Sequence, residues 1–164
     1  MRTFFISDTH FCDENIIKYE NRPFADTVDM EDVLINNWNR VVKPRDTVFV
    51  LGDISSEQMA TKDIIKHLKG HKILVMGNHD LLARASYLMM GFDVVSPYPI
   101  IFNDFYICSH APVYLNDHMP YANIHGHIHS KKMTGGNYFN VSVECINYTP
   151  IDFEEIKKSF MKGK

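Results

Sequence analysis

Apolar residues along this chain fall into short bursts separated by amphipathic stretches, so the pattern alternates between the periods of strand and helix. Thr3 to Ser7 is an apolar run ending in Asp8, as in a buried strand. Met30, Val33, Leu34, Trp38 and Val41 recur at helical spacing and predict an amphipathic helix from about Thr27 to Val42, stopped near Pro44. Thr47 to Leu51 is a β-branched and aromatic second strand that ends at Gly52-Asp53. Ser55 and Gln58 have capping-box spacing and predict a helix to about Leu68, with Gly70 as its C-terminal cap. Lys72 to Met76 is a third strand, running into Gly77-Asn78-His79-Asp80, and a helix from about Leu81 to Met90 closes at Gly91.

Beyond Phe92 the texture becomes strands with short connections. Ile100 to Phe102 and Phe105 to Cys108 flank Asn103-Asp104, a two-residue hairpin turn. Strands are expected at Ala122 to Ile124 and Tyr138 to Val143, with Gly135-Gly136 in the loop between them. Asp152 and Glu155 resemble a second capping box before a terminal helix that carries Phe153, Ile156 and Phe160 on one face. Strand-helix alternation followed by strands, without repeats or linkers, predicts a single α/β domain over residues 1–164.

Composition narrows the function classes. A chain of 164 residues with 45% hydrophobic and 23% charged positions has the balance of a soluble domain with one core. A net charge of −3 does not suggest a sequence-independent nucleic-acid binder or a polybasic membrane anchor, although a local basic groove is compatible with it. No apolar run is long enough for a bilayer, and Met1 to Asp8 reads as a strand rather than a signal peptide. Cys12, Cys108 and Cys145 are odd in number and widely spaced, which is neither a disulfide framework nor a Cys-based zinc site. A reducing cytoplasm is the expected location.

Histidine changes the picture. Of nine, five lie in short motifs beside Asp, Asn and Gly, and each motif follows an apolar run. The motifs are Asp8-Thr9-His10, Gly52-Asp53, Gly77-Asn78-His79-Asp80, Ser109-His110 and Gly126-His127-Ile128-His129. In open α/β sheets, sites gather beyond the carboxyl ends of strands, so distant segments can converge there. Asp8, His10, Asp53, Asn78, His110, His127 and His129 combine carboxylate, amide and imidazole donors, a set suited to Mn, Fe, Zn, Co or Ni. Seven ligands exceed one tetrahedral zinc but suit two ions sharing a bridging carboxylate. Any one motif alone has an ordinary explanation as a cap, a turn or a core histidine; all five in this order do not.

The ordered set resembles the calcineurin-like metallophosphoesterase superfamily, from Asp8 to His129. Asn15-Ile16-Ile17, Asn21-Arg22-Pro23-Phe24 and Asn140-Val141-Ser142-Val143 further resemble its small single-domain bacterial and phage-type branch. The resemblance implies a four-layer α/β/β/α sandwich with two central mixed sheets flanked by helices. It implies that Asp8, His10 and His129 hold one divalent metal ion and that Asn78, His110 and His127 hold a second, with Asp53 bridging. Mn is expected in vitro, with Fe, Zn, Ni, Co or Mg as alternatives. His79 would face the substrate as the catalytic residue, with Asp80 orienting it. The implied activity is phosphoester hydrolysis, phosphodiesters before phosphomonoesters, by a metal-bridging hydroxide attacking phosphorus in line.

The expected partner is a small phosphoester or nucleotide-type substrate, with no membrane; the sequence is silent on oligomeric state. Two competitors remain: a nuclease on DNA or RNA strands, which the charge does not indicate, and a non-catalytic metal-binding interaction module. Arg22 has two readings of equal weight, a turn residue or a substrate-phosphate clamp. Cys12 and Asp13 depart from the Gly and His that often follow Asp-Thr-His-Phe in related sequences, so the loop contacts there are open. His67 and His71 read as helix-end residues, His118 as a polar loop residue, and His125 as pointing away from the metals.

Overall fold

The computed structural model describes residues 1–55, 58–116, 118–135 and 137–162. The chain runs β1 (Thr3–Ile6), α1 (Glu14–Tyr19), α2 (Thr27–Val41), β2 (Thr47–Val50), α3 (Gln58–His67), β3 (His71–Val75), α4 (Arg84–Met90) and β4 (Val94–Ser96). It continues through β5 (Ile100–Phe102), β6 (Tyr106–Ser109), β7 (Ala122–His125), β8 (Tyr138–Asn140), a 3-10 turn (Val143–Cys145), β9 (Ile151–Asp152) and α5 (Phe153–Lys162).

The strands form two sheets, β4-β3-β2-β1-β9 and β5-β6-β7-β8. Strands β1 to β4 are mutually parallel, as are β6 to β8, whereas β9 and β5 join as antiparallel edges. Parallel pairing brings the ends of β1, β2 and β3 to one edge, which is where the motifs begin. Ser7 joins the sheets at that edge: its N–H donates to Val141 O (2.9 Å) and its carbonyl accepts from Val143 N (3.1 Å).

Alternation along β1 and β2 divides the apolar residues between two layers. Phe4, Ile6, Val48 and Val50 face Met30, Leu34 and Trp38 of α2, Ile64 and Ile65 of α3, and Tyr87 and Met90 of α4. Phe5, Phe49 and Leu51 face the second sheet through Cys108 and Ile124, with Phe153 and Ile156 of α5. Phe5 stacks on Phe49 with ring centroids 5.0 Å apart, and Phe160 extends α5 onto Tyr106 and Phe139. Two sheets flanked by helices is the expected metallophosphoesterase arrangement.

Several local details differ from expectation. The strand foreseen over Tyr138 to Val143 ends at Asn140, because Asn140 Oδ1 accepts from Ser142 N (2.9 Å) and its amide donates to His129 O (2.7 Å). This turn releases the chain towards Ser7. The helix foreseen from Leu81 begins at Arg84, since Asp80 N–H bonds Gly77 O and Leu81 N–H bonds His79 O in an irregular turn. Ser55 donates its hydroxyl to Phe11 O (2.6 Å); the Gln58 side chain, the other half of the expected capping box, lies outside the described residues. Helix α1 was not foreseen, although Asp13 caps it by accepting from Asn15 N. Asn103 and Asp104 both take positive φ (49° and 55°), as a two-residue hairpin turn requires.

Candidate metal centre

Five of the seven candidate ligands have left-handed backbone: Asp8 (φ 58°), His10 (48°), Asp53 (54°), His127 (67°) and His129 (50°). Such conformations are uncommon for residues with a Cβ, and they persist only where the surroundings impose them. Here the segments after β1 and β2 hold each other. Asp8 N–H donates to Gly52 O (3.0 Å), His10 N–H to Asp53 O (3.0 Å) and Phe11 N–H to Ile54 O (2.8 Å). Gly126 lets the third segment approach, because a Cβ there would fall on the Ser7 and Asp8 side chains.

Two groups of donor atoms result. Atoms from Asp8, His10 and His129 lie within 4.8 Å of one another, as do atoms from Asp53, His110 and His127. Asp53 stands between them, with Oδ2 3.7 Å from His10 Nε2 and 3.3 Å from His110 Nε2. Asn78 Oδ1 joins the second group at 2.9 Å from His110 Nε2. Asp8 Oδ2 is held by the His127 N–H (2.9 Å) and the Ser142 hydroxyl (2.8 Å).

The donor set fits divalent cations. Asp8 Oδ1 and both ring nitrogens of His10 are buried without a hydrogen-bond partner, a costly state that a cation would relieve. Burial lowers the pKa of His10 to about 4, against the opposing pull of Asp53 and Asp8, so its ring is neutral and carries a lone pair. Its 3.6 Å approach to Asp13 is therefore no charge pair at neutral pH. His110 donates Nδ1–H to Leu51 O (2.8 Å), which leaves Nε2 facing Asp53 and Asn78.

A buried brace stands behind the first group. Glu144 Oε1 accepts from His129 Nδ1 (3.2 Å) and from Arg22 Nε (2.9 Å) and a terminal nitrogen (2.6 Å). Burial opposes charge on both partners, but their contact prevails: the His129 pKa is raised and that of Glu144 lowered. The sequence reading overlooked Glu144, which follows the Asn140-Val141-Ser142-Val143 segment. Its only signal was an acidic residue beside a strand end.

Two sequence expectations are corrected. Arg22 is not positioned as a phosphate clamp: its side chain has 0% exposure, and its remaining N–H groups reach Thr9 O, Asp8 O and Met30 Sδ. It is more than a turn residue, because it ties the Asp8 loop to Glu144. Asp80 does not contact the His79 ring. Its carboxylate accepts from the N–H groups of Asp53 (2.8 Å), Ile54 (3.0 Å) and Gly77 (2.8 Å), and so orients the loop that carries Asp53. Burial raises the Asp80 pKa despite those bonds.

His79 belongs to neither donor group. Its N–H donates to Asp53 Oδ1 (2.8 Å), and its ring lies at the exposed mouth, 5.2 Å edge-on from that of His10. The other histidines are elsewhere: His67 bonds Asp63 O, His71 approaches Asp93, His118 N–H bonds Asn116, and His125 Nδ1 donates to Gly126 O inside the fold.

Residues 1–162 match the family model described as calcineurin-like phosphoesterase. The chain belongs to that family. An uncharacterized protein of Methanocaldococcus jannaschii is 36% identical over 174 aligned positions, covering 99% of this chain and 93% of its own. Gene 66 protein of Mycobacterium phage L5 is 39% identical over 83 positions, 48% of this chain and 39% of its own. A protein of unknown function from Aquifex aeolicus, solved by crystallography, superposes with a TM-score of 0.76 at 31% identity, covering 96% of this chain and 98% of its own. Members of this family usually bind divalent metals, and the two donor groups are this chain's candidate ligand clusters. Among the described residues, no helix is long and apolar enough to cross a membrane.

Proposed function

We propose that this protein is a dinuclear metal-dependent phosphoester hydrolase that prefers small diesters to monoesters. The observation that carries the reading is the pair of donor groups on either side of Asp53, with buried Asp8 and His10 atoms lacking a hydrogen-bond partner. Asp8, His10 and His129 would hold one ion, Asn78, His110 and His127 the other, with Asp53 between. Divalent ions there would supply Lewis acidity and make water a nucleophile near neutral pH.

The chain's own residues divide the rest of the work. The Asp80 carboxylate keeps the Asp53 loop in place, while the Glu144–Arg22 brace holds the His129 ring through Nδ1. His79, exposed and outside both groups, would neutralise charge on the phosphoryl oxygens or give its proton to the departing oxygen. Arg22 faces inward and does not meet a second phosphate charge, which favours the singly charged diester. The thiols of Cys108 and Cys145 are unbridged, in keeping with a reducing cytoplasm.

The test is hydrolysis of bis-p-nitrophenyl phosphate beside p-nitrophenyl phosphate by chelator-stripped protein, before and after Mn²⁺ addition. Metal-restored cleavage that is faster on the diester is expected. Metal binding without cleavage of either ester would refute a general diesterase and leave only a very selective enzyme or a binding module. Activity confined to oligonucleotides and falling steeply with salt would replace it with a nuclease.

A further inference from the structure

His79 also walls a small cavity that none of the seven candidate ligands lines. Its volume is about 100 Å³, and it is enclosed by Thr61, Leu81, Leu82, Tyr87 and Met90 with the Ser55 edge. Tyr87 and Met90 are 3% and 7% exposed and make a fixed floor, whereas Leu81, 85% exposed, forms the lip. The described lining contains no Lys, Arg, Asp or Glu. Two of its polar groups are engaged: the Tyr87 hydroxyl accepts from Leu82 N (3.5 Å) and Ser55 donates to Phe11 O.

We propose that this cavity is the leaving-group subsite, and that the substrate is a phosphodiester whose departing alcohol is compact, uncharged and apolar. The inference rests on the hydrolase reading. His79 contacts the His10 ring on one side and the cavity on the other, so an alcohol seated there presents its oxygen to His79. Hydrolysis then breaks the P–O bond to that alcohol, forms one to the water oxygen, and leaves the departing oxygen with the His79 proton. The products are a phosphomonoester and the free alcohol.

Size and charge define the class. Apolar cavities on the order of 150 Å³ take up benzene. A smaller, open-mouthed one therefore admits a short branched chain or the edge of one aromatic ring, and is too small for a nucleoside. A cationic or anionic head would find no opposite charge among the described lining residues.

The experiment compares two methyl phosphodiesters, one releasing 4-nitrophenol and one releasing trifluoroethanol, with the Mn²⁺-loaded protein. Leu82→Trp fills the cavity, and Leu81→Ser removes the lip at a position too exposed to endanger folding. Each variant should lower the aryl-to-trifluoroethyl ratio of kcat/KM by about fivefold or more, since a buried methylene is worth about fourfold. Added phenol should shift the Met90 methyl NMR signal, identified by its absence in Met90→Leu. An unchanged ratio in both variants together with an unmoved Met90 signal would overturn the subsite while leaving the hydrolase intact. Failure of the unsubstituted protein to cleave any ester would instead remove the hydrolase reading, and the subsite with it. Release of a nucleoside from a methyl nucleoside diester faster than release of 4-nitrophenol would also overturn the proposal.

Discussion

Replacing Glu144 by Gln tests the brace behind the candidate metal centre most directly. The substitution keeps the volume and one acceptor oxygen but removes the charge opposite Arg22 and His129. The Arg22 and Glu144 side chains are 0% and 7% exposed, so the guanidinium would remain buried without a counter-ion. Breaking a buried pair on one side costs about 3–5 kcal/mol. The retained amide oxygen places this variant towards the lower end, and a domain stable by about 5–15 kcal/mol should still fold. A second effect is local. A carboxylate that accepts from a metal-binding imidazole typically improves metal affinity by about 10- to 100-fold, roughly 1.4–2.7 kcal/mol.

Under the proposed ligand assignment, only an ion at Asp8, His10 and His129 should weaken by that factor, because of the proposed ligands Glu144 bonds His129 alone. Denaturant unfolding of the metal-free protein measures the first effect, and calorimetric Mn²⁺ titration resolves the second into two sites. Exchange-coupled Mn²⁺ EPR should give way to a mononuclear signal at limiting metal. Loss of stability with both affinities kept within twofold would refute the positioning of His129 and leave Glu144 a purely structural partner. A stability change below about 1 kcal/mol would show that the pair is effectively solvated.

The other predictions concern separate parts of the molecule. His79→Ala should retain both metals by titration and lose about 10²- to 10⁴-fold in kcat; loss of metal would instead make His79 a ligand. Gly126→Ala puts a methyl group onto Ser7 and Asp8, so the first ion should bind at least about tenfold more weakly; wild-type affinity would show that the close approach is not needed. Asp46 accepts from the N–H groups of Arg2 (2.7 Å) and Lys43 (2.9 Å). Burial pushes its pKa up, but those bonds and the Arg2 charge hold it below the ordinary 3.8. Its stabilising contribution is therefore present above the ordinary value and lost as pH falls through the lower folded value. In acid unfolding experiments, Asp46→Asn should flatten that acid limb without changing metal affinity, and equal pH slopes would contradict the assignment.

What could be read from the chain, and what could not, divides by sequence distance. Strand ends followed by Asp, Asn or His were legible because apolar runs and polar termini are local signals, and parallel pairing carries those ends to one edge. Arg22 was misread because its partners lie across the fold: Glu144 is 122 positions away, and nothing near Asn21-Arg22-Pro23-Phe24 reveals a buried carboxylate. Asp80 was misread for a related reason, since adjacency to His79 suggested contact with the ring whereas the carboxylate turns to the backbone of Asp53 and Ile54. The left-handed conformations of Asp8, His10, Asp53, His127 and His129 run against local preference. They are imposed by bonds between loops, such as His10 N–H to Asp53 O and His127 N–H to Asp8 Oδ2. Each loop thus holds another in this conformation. By linkage, a cation that binds this folded arrangement and not the unfolded chain should raise stability by an amount set by its concentration relative to its Kd.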